Sequence, residues 1–331
     1  MPHPWARSMG AQAQPSLDGP IAVTGATGFV GRHLLVRLRE IVPSGSAALR
    51  ALTRRPPPTN PPLSDVYWVQ GSLAEESALA RLVEGCRLVI HVAGATRALD
   101  AAGFMEANAR GTERLMRAIH RAAQADCRVL HISSLAAREP DLSPYAASKR
   151  AGEEAVAGAL PGERWIILRP PALYGPGDRE LLPLLLFSRR GWLPLAGPPE
   201  QRLALLHVAD LVELILRCSP EGGFTQLAGR RLEIDDGRGG YSCREMAAIL
   251  SGLWGRPVRL LRVPAGVTWT VAFLNQGWAR LTRRPAMLAP HKLPELRHPD
   301  WSVRMPEDLA GLWRPVHDLA SGLCMTLAAC T

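Results

Sequence analysis

Tyr145 and Lys149 stand four residues apart in the run Tyr145-Ala146-Ala147-Ser148-Lys149. On a helix this spacing puts both side chains on one face, one turn apart. A phenol with a pKa of ~10 is a poor acid–base group at neutral pH. An ammonium one turn away favours the phenolate and is expected to lower that value. The chemistry this pair suits is proton transfer to or from a carbonyl oxygen. Ser134 follows the apolar run Val129 to Ile132 and is placed to hold the same oxygen by hydrogen bond, with Ser133 as second choice.

Such chemistry needs a partner that carries electrons, and the start of the chain offers a place for one. Thr24-Gly25-Ala26-Thr27-Gly28-Phe29-Val30-Gly31 follows the apolar run Ile21-Ala22-Val23 and precedes Leu34, Leu35, Leu38 and Ile41 at helical spacing. Glycines between a strand and a helix allow backbone to approach a pyrophosphate, and the helix N-terminus attracts that anion. A dinucleotide is therefore expected, with its adenine ribose about 20 residues further on. Thr53-Arg54-Arg55 stands there, with no acid nearby. Guanidinium groups suit a 2′-phosphate, so NADP(H) is expected rather than NAD(H). Arg32 is a further candidate phosphate contact. Lys149 would also bind the nicotinamide ribose, and an oxidised nicotinamide would help lower the Tyr145 pKa.

The elements that must position these residues follow from periodicity. Strands are expected at residues 21–23, 48–52, 66–69, 88–92, 129–132 and 165–168, with helices after Gly31, at Leu79 to Val83 and at Leu115 to Ala123. Alternation of this kind predicts an α/β fold, a Rossmann-type doubly wound parallel sheet with a smaller C-terminal substrate lobe. The expected division is a flexible tail over 1–19 and a dinucleotide domain over 20–177 with a return segment at 205–235. Residues 178–204 and 236–331 are left for the substrate lobe. Pro56 to Pro62 reads as a loop, and Ser242 with Glu245 as a capping box ahead of a helix.

Composition narrows the classes. Of 331 residues 47% are hydrophobic, which supports a sizeable core and excludes wholesale disorder. The net charge of +9 comes mostly from scattered arginines, which suits anionic ligands or an acidic membrane surface better than nucleic acid. The six cysteines form no CxxC pair and no His/Cys cluster has zinc spacing, so free thiols and no metal are expected. The polar stretch Met1 to Gly19 has no signal-peptide core, and the apolar tail after Leu319 is too short to cross a bilayer. A cytoplasmic protein, at most touching the inner face of the membrane, is the expectation.

Several motifs together resemble those of the extended short-chain dehydrogenase/reductases, also called the NAD-dependent epimerase/dehydratase family. They run in order through Thr24–Gly31, His91–Gly94, Asn108–Thr112, Ile132–Ser134, Tyr145–Lys149, Arg169–Asp178 and His207–Leu211. The resemblance implies a catalytic set of Ser134, Tyr145 and Lys149, with Asn108 supporting it. It also implies that the segment from Pro170 to Leu173 borders the nicotinamide, so the expected cofactor contacts are Gly25, Thr27, Gly28, Phe29, Val30, Gly31, Arg54, Arg55, Ser72, Leu73, Ala93, Gly94, Lys149, Pro170 and Leu173. Two departures matter. The acid that commonly follows the third strand is replaced by Gly71-Ser72-Leu73, which leaves the adenine contact open. The Asp-Glu pair of the dehydratases is replaced by Leu135-Ala136, which argues against elimination.

Ketone reduction with NADP(H) is thus the first functional expectation. A nucleotide-sugar epimerase is the alternative, kept open by Arg202 near where relatives grip a pyrophosphate. A non-catalytic NADPH-binding accessory subunit is the third, weakened by the intact Tyr/Lys pair. Trp254, Trp269, Phe273, Trp278, Leu281 and Met287 are mixed with arginines. This segment reads either as a helical core with solvated basic faces or as a greasy, basic entrance for an amphipathic lipid at an anionic membrane. With the stretch Ser134–Pro140, it resembles bacterial 3-oxosphinganine reductases that are like the complex I accessory subunit. The expected partners are a small-molecule or lipid substrate, a peripheral membrane contact and a second copy of the chain.

Overall fold

A computed structural model of the chain describes residues 17, 19–42, 48–56, 65–286 and 288–328. The expected tail before Leu17, the proline-rich stretch from residue 57 and Met287 lie outside the described residues. The apolar runs form strands β1 (Ile21–Thr24), β2 (Leu49–Thr53), β3 (Tyr67–Gln70), β4 (Leu88–His91), β5 (Arg128–Ile132) and β6 (Trp165–Arg169). Strand Arg231–Glu233 adds a seventh beside β6. It has little sequence signal because only Leu232 of its three residues is buried.

The sheet order is Arg231–Glu233, β6, β5, β4, β1, β2, β3, and every pairing is parallel. This is the Rossmann-type doubly wound sheet that the alternation predicts. β1 and β4 are buried at every residue, which is why they read as continuous apolar runs. One face is covered by α1 (Phe29–Ile41) and the helix Val208–Cys218. The other carries α2 (Glu76–Val83), then α3 (Ala101–Met105), α4 (Gly111–Ala122) and α5 (Pro144–Ala159). The chain switches direction across the sheet between β1 and β4, and a crevice opens there at their carboxyl ends.

Outside this sheet the strands are short. Ala172–Tyr174 pairs with Leu205–His207, Trp192–Leu195 with Arg259–Arg262, and Arg202–Leu203 lies between Tyr241–Ser242 and Asp300–Trp301. They enclose a separate core that includes Leu185, Leu193, Met246, Leu250 and Leu323. The capping box is present. The Ser242 hydroxyl accepts from the Glu245 amide at 3.2 Å, and the Ser242 amide donates to the Glu245 carboxylate at 2.7 Å. The apolar tail forms the helix Leu319–Ala328 and buries Leu319 and Leu323 in the same core.

The reading of the tryptophan-rich segment as a helical core holds for Trp254, which packs against the lobe core, and fails for the helix that follows. Helix Ala265–Thr282 buries only Thr268, Ala272 and Ala279, while Phe273, Leu274, Trp278 and Leu281 are 60–77% exposed. Among the described residues no helix is long and apolar enough to cross a membrane.

Candidate active site

The crevice is built by glycines that permit close approach. Gly25 has φ +70°, and a Cβ there would lie 2.6 Å from the Ala93 amide nitrogen. A Cβ on Gly31 would run into the Gly25 carbonyl, so loop and helix can pack only as glycine. Gly28 is the N-cap of α1 and offers no side chain to it. The first-turn amides of Phe29, Val30 and Gly31 therefore remain for an outside acceptor, as a bound pyrophosphate requires. Thr27 and Gly28 are exposed beside them. A Cβ on Gly94 would lie 3.1 Å from the Asn108 side-chain oxygen and 3.4 Å from Lys149 Nζ, which keeps the floor of the crevice thin.

At the far end, β2 stops at Thr53. The Thr53 hydroxyl donates to the Arg55 carbonyl at 2.7 Å and turns the chain. Arg54 and Arg55 project outward, and neither forms an ion pair among the described residues. Arg54 shares an open groove with Gln70, Gly71, Ser72, Glu75 and Arg81. Ser72 donates to Glu75 at 2.9 Å, so a carboxylate does stand in this groove, three residues beyond where the sequence lacks one. Leu73 packs against Gly111 at the start of α4.

The residues expected to be catalytic gather around the start of α5, and the electrostatics differ from expectation. Ser143 caps α5, accepting from the Ala146 amide at 3.0 Å, and Pro144 occupies the first turn. Tyr145 stands beside Ser134, whose hydroxyl caps the turn Leu135–Arg138 by accepting from Ala136 at 3.2 Å. Burial pushes the Tyr145 phenol up to about 12, and the neighbouring Ser134 hydroxyl only partly offsets it. Lys149 does not lower it here. Its ammonium donates to the Ile132 carbonyl at 2.9 Å, and burial brings its own pKa down to about 8 against the pull of Glu153.

Asn108 sits in a π-helical turn, Glu106–Arg110, between α3 and α4. Its side chain accepts from the Ala95 amide at 2.7 Å and donates to the Ala95 carbonyl at 3.0 Å and to Ser148 at 2.9 Å. It thereby ties the loop after β4 to α5. Gly152 lets α5 approach, since a Cβ there would lie 2.5 Å from the Asn108 carbonyl oxygen. His91 continues the brace. Its Nδ1 meets the Thr24 hydroxyl at 2.6 Å and its Nε2 meets Thr112 at 2.9 Å, while burial holds it neutral with a pKa near 3. The segment after β6 runs beside Ser134, with the Leu135 amide donating to the Pro170 carbonyl at 2.8 Å. Leu173 follows in the short strand Ala172–Tyr174.

Ser133 is turned away from Tyr145. Its hydroxyl donates to Glu153 at 2.6 Å, inside a buried network where Glu153 accepts from Arg169 Nε and Nη2 at 2.8 and 2.7 Å. Arg169 and Arg138 then share Glu233. Arg202 lies in the lobe, donates to the Gly240 carbonyl at 2.8 Å and is not brought to Tyr145. A narrow cavity reaches Tyr145 between Thr96, Arg97, Phe104, Ala286, His291, Lys292 and Glu295. Phe104 packs edge-on against both Tyr145 and His291. Glu295 hydrogen-bonds Ser143, and burial raises its carboxyl pKa. Glu295 and Phe104 carry no motif signal, because only the fold brings them to the tyrosine.

Residues 21–223 match the family model described as NAD dependent epimerase/dehydratase family. The chain is 40% identical over 289 residues to a ceramide reductase of Caulobacter vibrioides, covering 86% of each. It is 27% identical to the mitochondrial NADH dehydrogenase [ubiquinone] 1 alpha subcomplex subunit 9 of Arabidopsis thaliana, over 76% of this chain and 63% of that one. The solved structure of MoeE5 with UDP-glucuronic acid and NAD superposes with a TM-score of 0.69 at 22% identity, covering 94% of this chain and 99% of that one. The likeness to MoeE5 speaks for the fold alone. The chain is a nicotinamide-dinucleotide-dependent oxidoreductase, and it belongs to the NAD dependent epimerase/dehydratase family.

Proposed function

We propose that this chain uses NADPH to reduce the ketone of a long-chain sphingoid lipid to a secondary alcohol, with 3-oxosphinganine or its N-acylated form as substrate. The observation that carries the reading is that Tyr145 lines the cavity with Ser134 beside it and Lys149 one turn along α5. A phenol held protonated by burial is the donor that ketone reduction needs. Ser134 would hold the carbonyl oxygen while Tyr145 hands it a proton. When bound, the nicotinamide supplies the hydride. Lys149, one turn along α5, would orient the ribose and sustain the proton at Tyr145. Glu295 would accept from an N–H on the lipid head. Arg54 and Arg55, exposed at the end of β2, would receive the 2′-phosphate. The 40% identity to a ceramide reductase supports a lipid of this class.

The test follows NADPH oxidation with 3-oxosphinganine, its N-acylated form, short 3-oxo amino alcohols and a panel of nucleotide sugars. kcat/KM should rise with chain length, each buried methylene adding about 0.8 kcal/mol until the cavity is full. NADPH should bind more tightly than NADH, and the double variant Arg54→Ala/Arg55→Ala should lose about 1.5–3 kcal/mol per phosphate contact removed. Turnover of a nucleotide sugar with no response to any long-chain ketone would put the epimerase reading first. Equal affinity for the two cofactors would remove the role given to the arginines.

A further inference from the structure

Helix Ala265–Thr282 is inside out. It lays Thr268, Ala272 and Ala279 against the protein and turns its large apolar residues to solvent. Val267, Val271, Leu274, Trp278 and Leu281 recur at alternating steps of four and three residues, which puts them on one outward stripe. They are 50, 41, 69, 67 and 77% exposed. Trp269 and Phe273 stack on each other at 5.7 Å and widen that face. Within the helix the charged residue is Arg280. A contiguous apolar face of this size is a sign of something that covers it.

The surrounding charge says what. From Met246 to Pro294 the sequence contains no Asp or Glu, yet it holds Arg256, Arg259, Arg262, Arg280, Arg283, Arg284 and Lys292. None of these seven forms an ion pair among the described residues. A second copy docked on this face would oppose arginines with no acid from the same stretch to neutralise them. An anionic lipid surface neutralises them and accepts the apolar stripe at once. Tryptophan suits that boundary, having an apolar body and one N–H. We infer that the outward face of helix Ala265–Thr282, with its flanking arginines, is a peripheral docking surface for an anionic membrane.

The turn Pro290–Lys292, which carries two residues of the cavity lining, packs against this helix. Directly beyond the helix, Ala286, His291, Lys292 and Glu295 line the way to Tyr145. Docking would set that lining at the lipid boundary, where a long-chain ketone resides. This last step rests on the proposed lipid substrate, whereas the docking itself does not.

The experiment is co-sedimentation of the full chain with vesicles of phosphatidylcholine alone or mixed with phosphatidylglycerol. Quenching of tryptophan fluorescence by brominated lipid is read in parallel. Binding is expected to the mixed vesicles, at least about tenfold weaker without the anionic lipid and at high salt. Arg283→Glu/Arg284→Glu should abolish the anionic preference, and Leu274→Glu/Trp278→Glu should abolish binding and quenching. Both variants should keep the wild-type melting temperature and the wild-type rate on a short, water-soluble ketone. If no ketone is reduced but the vesicle results hold, the lipid-reductase reading fails and the docking surface stands. Absence of wild-type binding to anionic vesicles would overturn the inference. So would a wild-type dimer that Leu274→Glu/Trp278→Glu converts to monomer, since a second copy would then be the cover.

Discussion

Beneath Tyr145, Glu153 and Asn108 find their partners within the chain. Glu153, fully buried, is held by Arg169 and by the Ser133 hydroxyl, and Asn108 spends its side chain on Ala95 and Ser148. Along helix Ala265–Thr282 the reverse holds, with large apolar side chains outward and Thr268, Ala272 and Ala279 inward. The same chain thus builds one region around internal partners and leaves another to be completed from outside. The first region should be intolerant of lost partners, and the second should be almost indifferent in water.

The largest expected effect tests that contrast directly. Glu153→Ala takes from the buried Arg169 guanidinium its two shortest carboxylate bonds, leaving it the Glu233 that it shares with Arg138, and should cost about 3 kcal/mol of stability in urea unfolding. Leu274→Ala, at an exposed position, should stay within about 0.5 kcal/mol of wild type in the same measurement. Similar losses for the two would erase the distinction between the regions.

Next in size is chemistry. Tyr145→Phe removes the proton-carrying oxygen and keeps the ring against Phe104. Turnover should fall ~10²-fold or more with cofactor affinity unchanged. A variant with near-normal kcat would show that the buried phenol is not the proton donor.

Legibility from sequence divides along the same line. The six strands, the glycine loop and the Tyr/Lys spacing are written locally, as apolar runs and fixed offsets, and the structure places them within a residue or two of expectation. The β1–β4 crevice follows from them. Glu295 and Phe104 are different, because their proximity to Ser143 and Tyr145 is made by packing alone, whereas Glu75 meets Ser72 across a local turn that no motif marks. Ser133 was legible as a serine beside the site, but not as a donor to Glu153, since strand alternation does not say which buried group waits on a given face. The tryptophan-rich helix shows a further limit. Periodicity reveals that one face is apolar, and it does not reveal which face meets the protein.

A pH dependence sharpens the first region. Burial lowers the Lys149 pKa from 10.5 to about 8, so between these values the unfolded chain binds more protons than the folded one. Stability from this residue is therefore lowest below pH 8 and rises from there towards pH 10.5, by at most about 1.4 kcal/mol per pH unit. Lys149→Met should abolish that rise, so the wild-type-minus-variant difference should climb across the window. Tyr145, raised from 10 to about 12, acts with opposite sign only above pH 10 and is common to both proteins. A flat difference would place the lysine in water and not in the buried network.

The smallest effect compares two helix caps that are alike locally and unlike in position. Ser242 accepts from the Glu245 amide at 3.2 Å, and Ser143 accepts from the Ala146 amide at 3.0 Å. Replacing either with alanine removes one cap and should cost about 1 kcal/mol of stability. Ser143, however, caps the helix that carries Tyr145 and Lys149, and its hydroxyl also donates to Glu295 in the cavity lining. Ser143→Ala should therefore change KM or kcat for the ketone by several-fold, on the scale of a lost neutral hydrogen bond of about 1 kcal/mol. Ser242→Ala, in a helix whose buried face meets the lobe core, should leave both constants alone at the same loss of stability. Equal kinetic effects from the two caps would mean that stability alone sets the rate. An effect confined to Ser143 would locate the coupling in the contact between the catalytic helix and Glu295.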